Sequence, residues 1–106
     1  MKKLLLLPLL FLGSQAFAQD PTFTIEIKDH KFIPATLEVL ANQKFTLIVK
    51  NNDGTAEEFE SSDLKKEKMV KGGKEIKMVI SPLKSGEYKF FGEFHAKTAQ
   101  GKIIAK

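Results

Sequence analysis

The chain contains neither cysteine nor arginine among its 106 residues. Without cysteine it can form no disulfide and carry no lipid on a thiol. Without arginine it lacks the forked guanidinium typical of nucleic-acid contacts, and no basic face interleaved with aromatic side chains is evident. We therefore expect no nucleic-acid partner. The sequence also lacks a G-x-S-x-G nucleophile motif and a glycine-rich phosphate loop, and its two histidines and separated serines form no triad pattern.

The first 18 residues have the features of an export signal. Lys2 and Lys3 form a basic start, and residues 4–12 are an apolar run too short to span a bilayer. Residues 16–18 form an A-x-A cleavage signature, which predicts a processed chain that begins at Gln19. We expect residues 1–18 to be removed and residues 19–106 to be periplasmic, without stable membrane insertion. An uncleaved anchor is the alternative, and the short apolar run disfavours it.

The processed chain has the length of one small domain, residues 19–106. Loss of Lys2 and Lys3 leaves 15 lysines against 13 acidic residues, so the signal contributes to the basic pI of 9.3. A domain of this size buries about 60–65% of its unfolded surface. Seven phenylalanines, one tyrosine and the aliphatic residues must therefore build its core without disulfides.

Alternating apolar and polar residues predict strands along most of the domain. The alternation is found in residues 23–27, 36–41, 44–51, 57–61, 74–80 and in two segments of 86–106. Turn-forming residues separate these segments, as at Gly72 and Gly73. About seven short strands favour an all-β, Greek-key antiparallel sandwich. The charged segment 63–70 is the only plausible helix, either as a single turn or as a loop.

Residues 86–106 are GEYKFFGEFHAKTAQGKIIAK, two strand-like segments joined by a short loop with Glu93 and His95. This segment resembles the metal-binding loop of cupredoxins, the small copper-binding β-sandwiches. In those proteins a cysteine ends the first strand and a histidine follows three residues later. Gly92 stands at the cysteine position and His95 at the histidine position. The resemblance implies a copper-protein scaffold without the thiolate of blue copper.

Two further blue-copper ligands also lack a counterpart. Cupredoxins carry their first histidine after the third strand, in a segment like NNxGxPHN. This chain has NNDGTAEE from Asn51, which places Glu57 at the histidine. The axial methionine position falls near Thr98 or Ala99, and no methionine follows Met78. The resemblance therefore implies that the chain is not a blue-copper electron carrier.

Carboxylates are the ligands that the chain offers instead. Glu58 and Glu60 are two residues apart, so on a strand they point the same way. Glu93 and His95 have the same spacing, and the loops that carry the two pairs meet at one end of such a sandwich. Glu58, Glu60, Glu93 and His95 therefore predict a metal site suited to Cu(II), Fe or Mn rather than Cu(I). The alternatives are a solvated strand face for the glutamates and a surface position for His95.

Three pieces of sequence sharpen the resemblance: A-x-E-F-E, K-F-F-G-E-F-H and T-A-Q-G-K-I. They resemble EfeO-type cupredoxin-like domains, above all the small periplasmic component of Ftr-type bacterial iron transporters. The resemblance implies an accessory of iron uptake that binds, delivers or oxidises iron, with a copper or iron ion as cofactor. It implies an iron permease or another periplasmic transport component as partner. Cysteines of that family fall near Phe32 and Gly92, so a thiolate site is not expected.

Other residues have competing interpretations. His30 is expected to be an exposed loop histidine, and Met69 either a core residue at a loop edge or a soft ligand. Met78 alternates with isoleucines and is expected in the core. The lysines of 65–77 form a solvated surface or steer an acidic partner. A second hypothesis follows, in which the domain is a metal-free docking module for a permease or periplasmic partner, with these lysines and the phenylalanine-walled loop as its contact surface.

Overall fold

The computed structural model describes residues 20–106, so the predicted signal at 1–18 lies outside the described residues. Within 20–106 the chain forms nine strands and one 3-10 turn, η1. No helix in this part of the chain is long and apolar enough to cross a membrane. The elements are β1 (Thr22–Lys28), β2 (Lys31–Ile33), β3 (Thr36–Val39), β4 (Phe45–Asn51), β5 (Glu57–Ser61), β6 (Lys66–Val70), β7 (Glu75–Ile80), β8 (Gly86–Gly92), η1 (Glu93–His95) and β9 (Gln100–Ala105).

The strands form two sheets, which confirms the predicted all-β sandwich. One sheet has the order β2-β1-β4-β7, and the other has the order β3-β9-β8-β5-β6. The pairs β1–β4 and β3–β9 are parallel, whereas the remaining pairs are antiparallel. The sandwich is therefore mixed rather than purely antiparallel. Local alternation cannot reveal strand direction, because a strand has the same period of two in either direction.

The structure contains two short strands where the sequence predicted connections. Strand β2 pairs with β1, and β6 pairs with β5 along all five of its residues. The interpretation of 63–70 as a helical turn or loop is therefore wrong for its second half. Lys65 has a left-handed backbone, with φ of 58°, that ends the preceding turn. The open edge of β5 then provides hydrogen-bond partners, and pairing across strands overrides the weak local pattern.

The core lies between the two sheets and is rich in phenylalanine. Phe90 packs edge-on against Phe32, with ring centroids 4.9 Å apart, and lies at 5.1 Å from the ring of Phe59. All three rings are buried, as is Met78, in agreement with its predicted core position. Because Phe59 points into the core, its neighbours in β5 must point to the outer surface of the sheet. This alternation positions the candidate site.

Asn51 is a buried polar residue that shapes the loop before β5. Its side-chain amide donates to the carbonyl oxygens of Thr55 at 2.8 Å and Val70 at 3.0 Å. Its Oδ1 accepts a hydrogen bond from the backbone N–H of Asp53 at 3.0 Å. One side chain thus satisfies three backbone groups and fixes where the loop enters β5.

Replacement of Asn51 by alanine should lower the free energy of unfolding by about 2–3 kcal/mol, because three backbone groups lose their partner. The neighbouring Asn52→Ala is the matched control. Asn52 makes only an exposed side-chain hydrogen bond, to Glu26, so its loss should cost about 0.5 kcal/mol or less. Urea unfolding of both variants measures the difference. Equal costs for the two asparagines would contradict the role given to Asn51.

Candidate metal centre

The two faces of β5 carry different glutamates. Glu57 and Phe59 are fully buried, whereas Glu58 and Glu60 are half-buried on the outer face of the sheet. On the same face, Glu60 lies opposite Glu67 of β6 across the strand pair. The period of two therefore separates one acidic residue that enters the domain from two that stay outside.

Four carboxylates meet on this outer face. Glu58, Glu60, Glu67 and Glu93 each offer an oxygen, and these oxygens all lie within 4.8 Å of one another. Glu93 comes from η1, which follows β8, the neighbour of β5 in the sheet. Carboxylate oxygens from two strands and a turn make a ligand set for a hard cation. We call these four residues the outer carboxylate cluster.

Three members of this cluster were predicted, and the fourth, Glu67, was missed. Glu67 lies in the charged segment where the sequence predicted a turn or a loop. Only the register of β5 with β6, which pairs Glu60 with Glu67, brings it to the site. The sequence signal that could have found Glu67 is the alternation of opposite charges in Lys66, Glu67 and Lys68, and three residues are too few to indicate a strand.

Hydrogen bonds among these carboxyl groups raise the pKa of two of them. A hydrogen bond to Glu67, partial burial and a hydrogen bond to Glu93 raise the pKa of Glu58 to about 7. A hydrogen bond to Glu93 and partial burial raise the pKa of Glu60 to about 7. When the carboxyls are ionised, the described residues offer no hydrogen-bond donor to Glu60 Oε1, which is shielded from solvent. The cluster therefore holds protons near neutral pH, in the place where a cation would neutralise it.

His95, the fourth predicted ligand, is placed on the inner side of β5. Its Nδ1 donates to Glu57 Oε1 at 2.7 Å, and it is not a member of the outer carboxylate cluster. The buried Glu57 also accepts hydrogen bonds from the backbone N–H groups of Glu58 at 3.0 Å and Phe94 at 2.8 Å. The structure thus brings together three of the four predicted residues and directs His95 to another carboxylate. Nε2 is the nitrogen of His95 that remains for a ligand.

His30 belongs to the same end of the sandwich. Its ring stacks on that of His95, with centroids 3.6 Å apart and planes at 12°. Its backbone N–H donates to Asp53 at 2.9 Å, and Thr98 donates to its carbonyl oxygen. The hydrogen bonds from the backbone N–H groups of His30 and then Asp29 hold the pKa of Asp53 below its ordinary value. His30 is thus a fixed neighbour of His95, which its isolated loop position in the sequence did not indicate.

Met69 differs from its expected core position. The residue is 53% exposed, and it lies opposite Glu58 in the β5–β6 pair, on the outer face. The prediction of a core residue is wrong. Met69 is two positions after Glu67 in β6, and its side chain therefore points outward as that of Glu67 does.

Comparison with known proteins agrees with this geometry. The family model for the cupredoxin-like domain matches residues 3–105. The chain belongs to the cupredoxin-like domain family. This membership confirms the broader resemblance drawn from residues 86–106. The narrower likeness to EfeO-type or Ftr-type iron-uptake components stays a prediction.

Relatives of this cupredoxin-like domain include one of close sequence and several of similar fold. An uncharacterized protein of Rickettsia prowazekii (strain Madrid E) is 52% identical over 80 residues, which are 76% of this chain and 64% of that protein. The chain thus spans less than two thirds of that relative. Auracyanin A, a blue copper protein of Chloroflexus aurantiacus, has a TM-score of 0.69 at 16% identity, over 81% of this chain and 99% of that one.

A purple cupredoxin from Nitrosopumilus maritimus is similar as well. Its TM-score is 0.61 at 17% identity, over 78% of this chain and 98% of that one. At these identities the solved structures show a shared fold and nothing further.

The residues of this cupredoxin-like domain do not fit a type 1 copper ion. Such a site needs two histidines and a cysteine thiolate. Here Glu57 and Gly92 stand where the resemblance places the first histidine and the cysteine, and the side chain of His95 is bonded to Glu57. The space between them is also filled, since a Cβ atom on Gly92 would lie 2.5 Å from Cδ of Glu57. No blue-copper chemistry is therefore assigned to this chain.

The raised pKa values predict that stability falls as the pH rises through neutrality. Glu58 and Glu60 keep protons up to about pH 7 in the folded state, whereas an ordinary glutamate releases its proton near 4.5. Between these values the folded state binds more protons than the unfolded state, so the free energy of unfolding decreases with increasing pH. The double variant Glu58→Gln, Glu60→Gln should flatten this decrease between about pH 5 and 8.

Thermal unfolding at several pH values measures the slope. Glu87→Gln, an exposed change on β8 away from the cluster, should keep the slope of the unmodified protein. An unchanged slope in the double variant would show that the carboxylate cluster does not hold these protons.

Proposed function

We propose that this protein is a periplasmic metal-binding accessory of iron uptake, and that the outer carboxylate cluster binds the ion. The observation that carries the proposal is the convergence of four carboxylate oxygens within 4.8 Å of one another. Two strands and a turn supply these groups, so the fold brings together residues that lie up to 35 positions apart, from Glu58 to Glu93.

The ligand chemistry favours a hard ion. All four groups of the cluster are oxygens, which suit Fe(III), Fe(II) or Mn(II) and suit Cu(I) poorly. Cu(II) accepts oxygen ligands too, but the histidine that would favour it, His95, is held through Nδ1 by Glu57 on the other side of the strand and is not a member of the cluster. We therefore place iron ahead of copper as the ion of this site.

The exposure of the cluster supports binding and delivery. Glu67 and Glu93 are exposed, whereas Glu58 and Glu60 are half-buried. An ion held by two exposed and two half-buried carboxylates on this outer face can pass to a partner without opening the sandwich. Because Glu58 and Glu60 carry protons near pH 7, binding would release protons and tighten as the pH rises.

The link to iron uptake and to the periplasm has separate support. The basic start, apolar run and A-x-A signature of residues 1–18 are typical of exported proteins. The segments around Glu58-Phe59-Glu60 and Phe90–His95 resemble domains associated with bacterial iron permeases. We infer an iron permease or another periplasmic transport component as the partner that receives the ion.

A competition titration tests the site. The exported, processed protein should bind Fe(III), Fe(II) or Mn(II) with one ion per chain, and Glu58→Gln, Glu60→Gln should weaken that binding at least about 10-fold because two ligands lose their charge. Glu75→Gln, an exposed change on β7 in the other sheet, is the matched control and should bind as the unmodified protein does.

His95→Ala distinguishes the outer cluster from a site that includes the histidine. With the cluster as the site, this variant should keep the preference for oxygen-binding ions. A selective loss of Cu(II) binding in His95→Ala, with no effect of the two glutamines, would move the site to His95. No binding of any of these ions to the unmodified protein would favour the metal-free docking module instead.

A further inference from the structure

The inner end of β5 holds the buried Glu57 at the position where the resemblance to cupredoxins places a copper ligand. In a type 1 site the ion connects the loop before one strand with the loop of the last hairpin through side chains of both. Here β5 and η1 are the two corresponding segments. We infer that the Glu57 carboxylate takes the structural place of that ion, and that Glu57 and Gly92 together close the interior to copper.

The hydrogen bonds of Glu57 carry the first part of this inference. Its side chain is 2% exposed, and its two oxygens accept from His95 Nδ1, the Phe94 N–H and the Glu58 N–H. Phe94 and His95 belong to η1, whereas Glu57 and Glu58 belong to β5. One carboxylate therefore joins the same two segments that an ion would join. A buried carboxylate persists only when donors compensate its lost hydration, and three are present here.

Gly92 carries the second part. Its backbone is extended, with φ of −98° and ψ of 116°, a conformation open to any residue. Backbone strain therefore does not require glycine at this position. The lack of space requires glycine here, because an added Cβ would lie 2.5 Å from Cδ and 2.7 Å from Oε1 of Glu57. It would also lie 2.8 Å from Cβ of Ala99. A Cβ at this position therefore requires the Glu57 carboxylate to move away from the place where it accepts its three hydrogen bonds.

Glu57 therefore acts as the residue that determines which kind of ion the domain takes. The inner position is occupied by a carboxylate of the chain itself, and within residues 20–106 the outer carboxylate cluster, on the opposite face of β5, is the group of carboxylates left to bind an ion. The claim that the outer carboxylate cluster binds the ion rests on the proposed function. The closure of the interior does not, because it follows from Glu57, Gly92 and His95 alone.

A double-mutant cycle between positions 57 and 92 tests the closure without any metal. Gly92→Ala should lower the melting temperature by about 10 °C in the unmodified protein, because the new methyl group overlaps the carboxylate of Glu57. In a Glu57→Ala background the same change should cost less than half of that shift, since the two closest contacts, to Cδ and Oε1 of Glu57, are gone and only the approach to Ala99 is left. In a Glu58→Ala background, which alters the outer face only, the full shift should remain.

Equal costs of Gly92→Ala in all three backgrounds would overturn the inference, because Ala99 or the backbone would then be the reason for glycine. The cycle gives its answer whether or not the outer cluster binds an ion. Its failure is therefore distinct from a failure of the proposed function.

A gain-of-function variant tests the consequence for copper. Glu57→His combined with Gly92→Cys supplies a histidine and a thiolate beside His95, the set that a type 1 site needs. With Cu(II), the folded double variant should develop an intense visible absorption band, and neither single variant nor the unmodified protein should show it.

Adding His95→Ala to the double variant should abolish the band, which identifies the interior as its origin. A folded double variant without the band would contradict the claim that residues 57 and 92 close the site. A copper–histidine signal at His95 in the unmodified protein would contradict it as well.

Discussion

The buried carboxylate of Glu57 is the interaction on which this end of the sandwich depends. It connects β5 to η1 through the side chain of His95 and the backbone N–H of Phe94, and it also accepts from the N–H of Glu58 within β5, all within 3.0 Å. The two N–H groups belong to Glu58 and Phe94, the first a member of the outer carboxylate cluster and the second the neighbour of Glu93. The inner hydrogen bonds therefore hold the backbone that carries the outer ligands. Removal of one buried partner from such a charged arrangement is far more costly than loss of a surface ion pair.

The strand parity of β5 gives the domain two chemically different sides. Inward positions hold Glu57 and Phe59, where each polar atom must find a partner within the protein. Outward positions hold Glu58 and Glu60, where hydrogen bonds to the neighbouring carboxyl groups and partial burial raise the pKa of both to about 7. The inner carboxylate is stabilised by three hydrogen-bond donors of the chain, whereas the outer charges are left to protons or a cation. This difference is the physical basis for proposing an ion site on the outer face.

Several features of the site depended on contacts between distant segments. The pairing of Glu60 with Glu67 requires the register of β5 with β6, and residues 63–70 gave no clear strand pattern. The stack of His30 on His95 joins residues 65 positions apart. The four-ligand set predicted from spacing treated Glu58 and His95 as neighbours. They are directed to opposite faces of the sheet, since Glu57, one position earlier, holds the histidine.

The sequence by itself determined the all-β sandwich, because a period of two and regularly spaced turns are local properties that survive without knowledge of partners. It also determined that no thiolate site exists, since the chain has no cysteine. It indicated three of the four clustered carboxylates. Only the tertiary structure decided the parallel strand pairs, the strand β6 with Glu67, and the side of β5 on which His95 lies. Register and parity arise from pairing between segments far apart in the chain, and a shift of one residue would exchange the inner and outer glutamates.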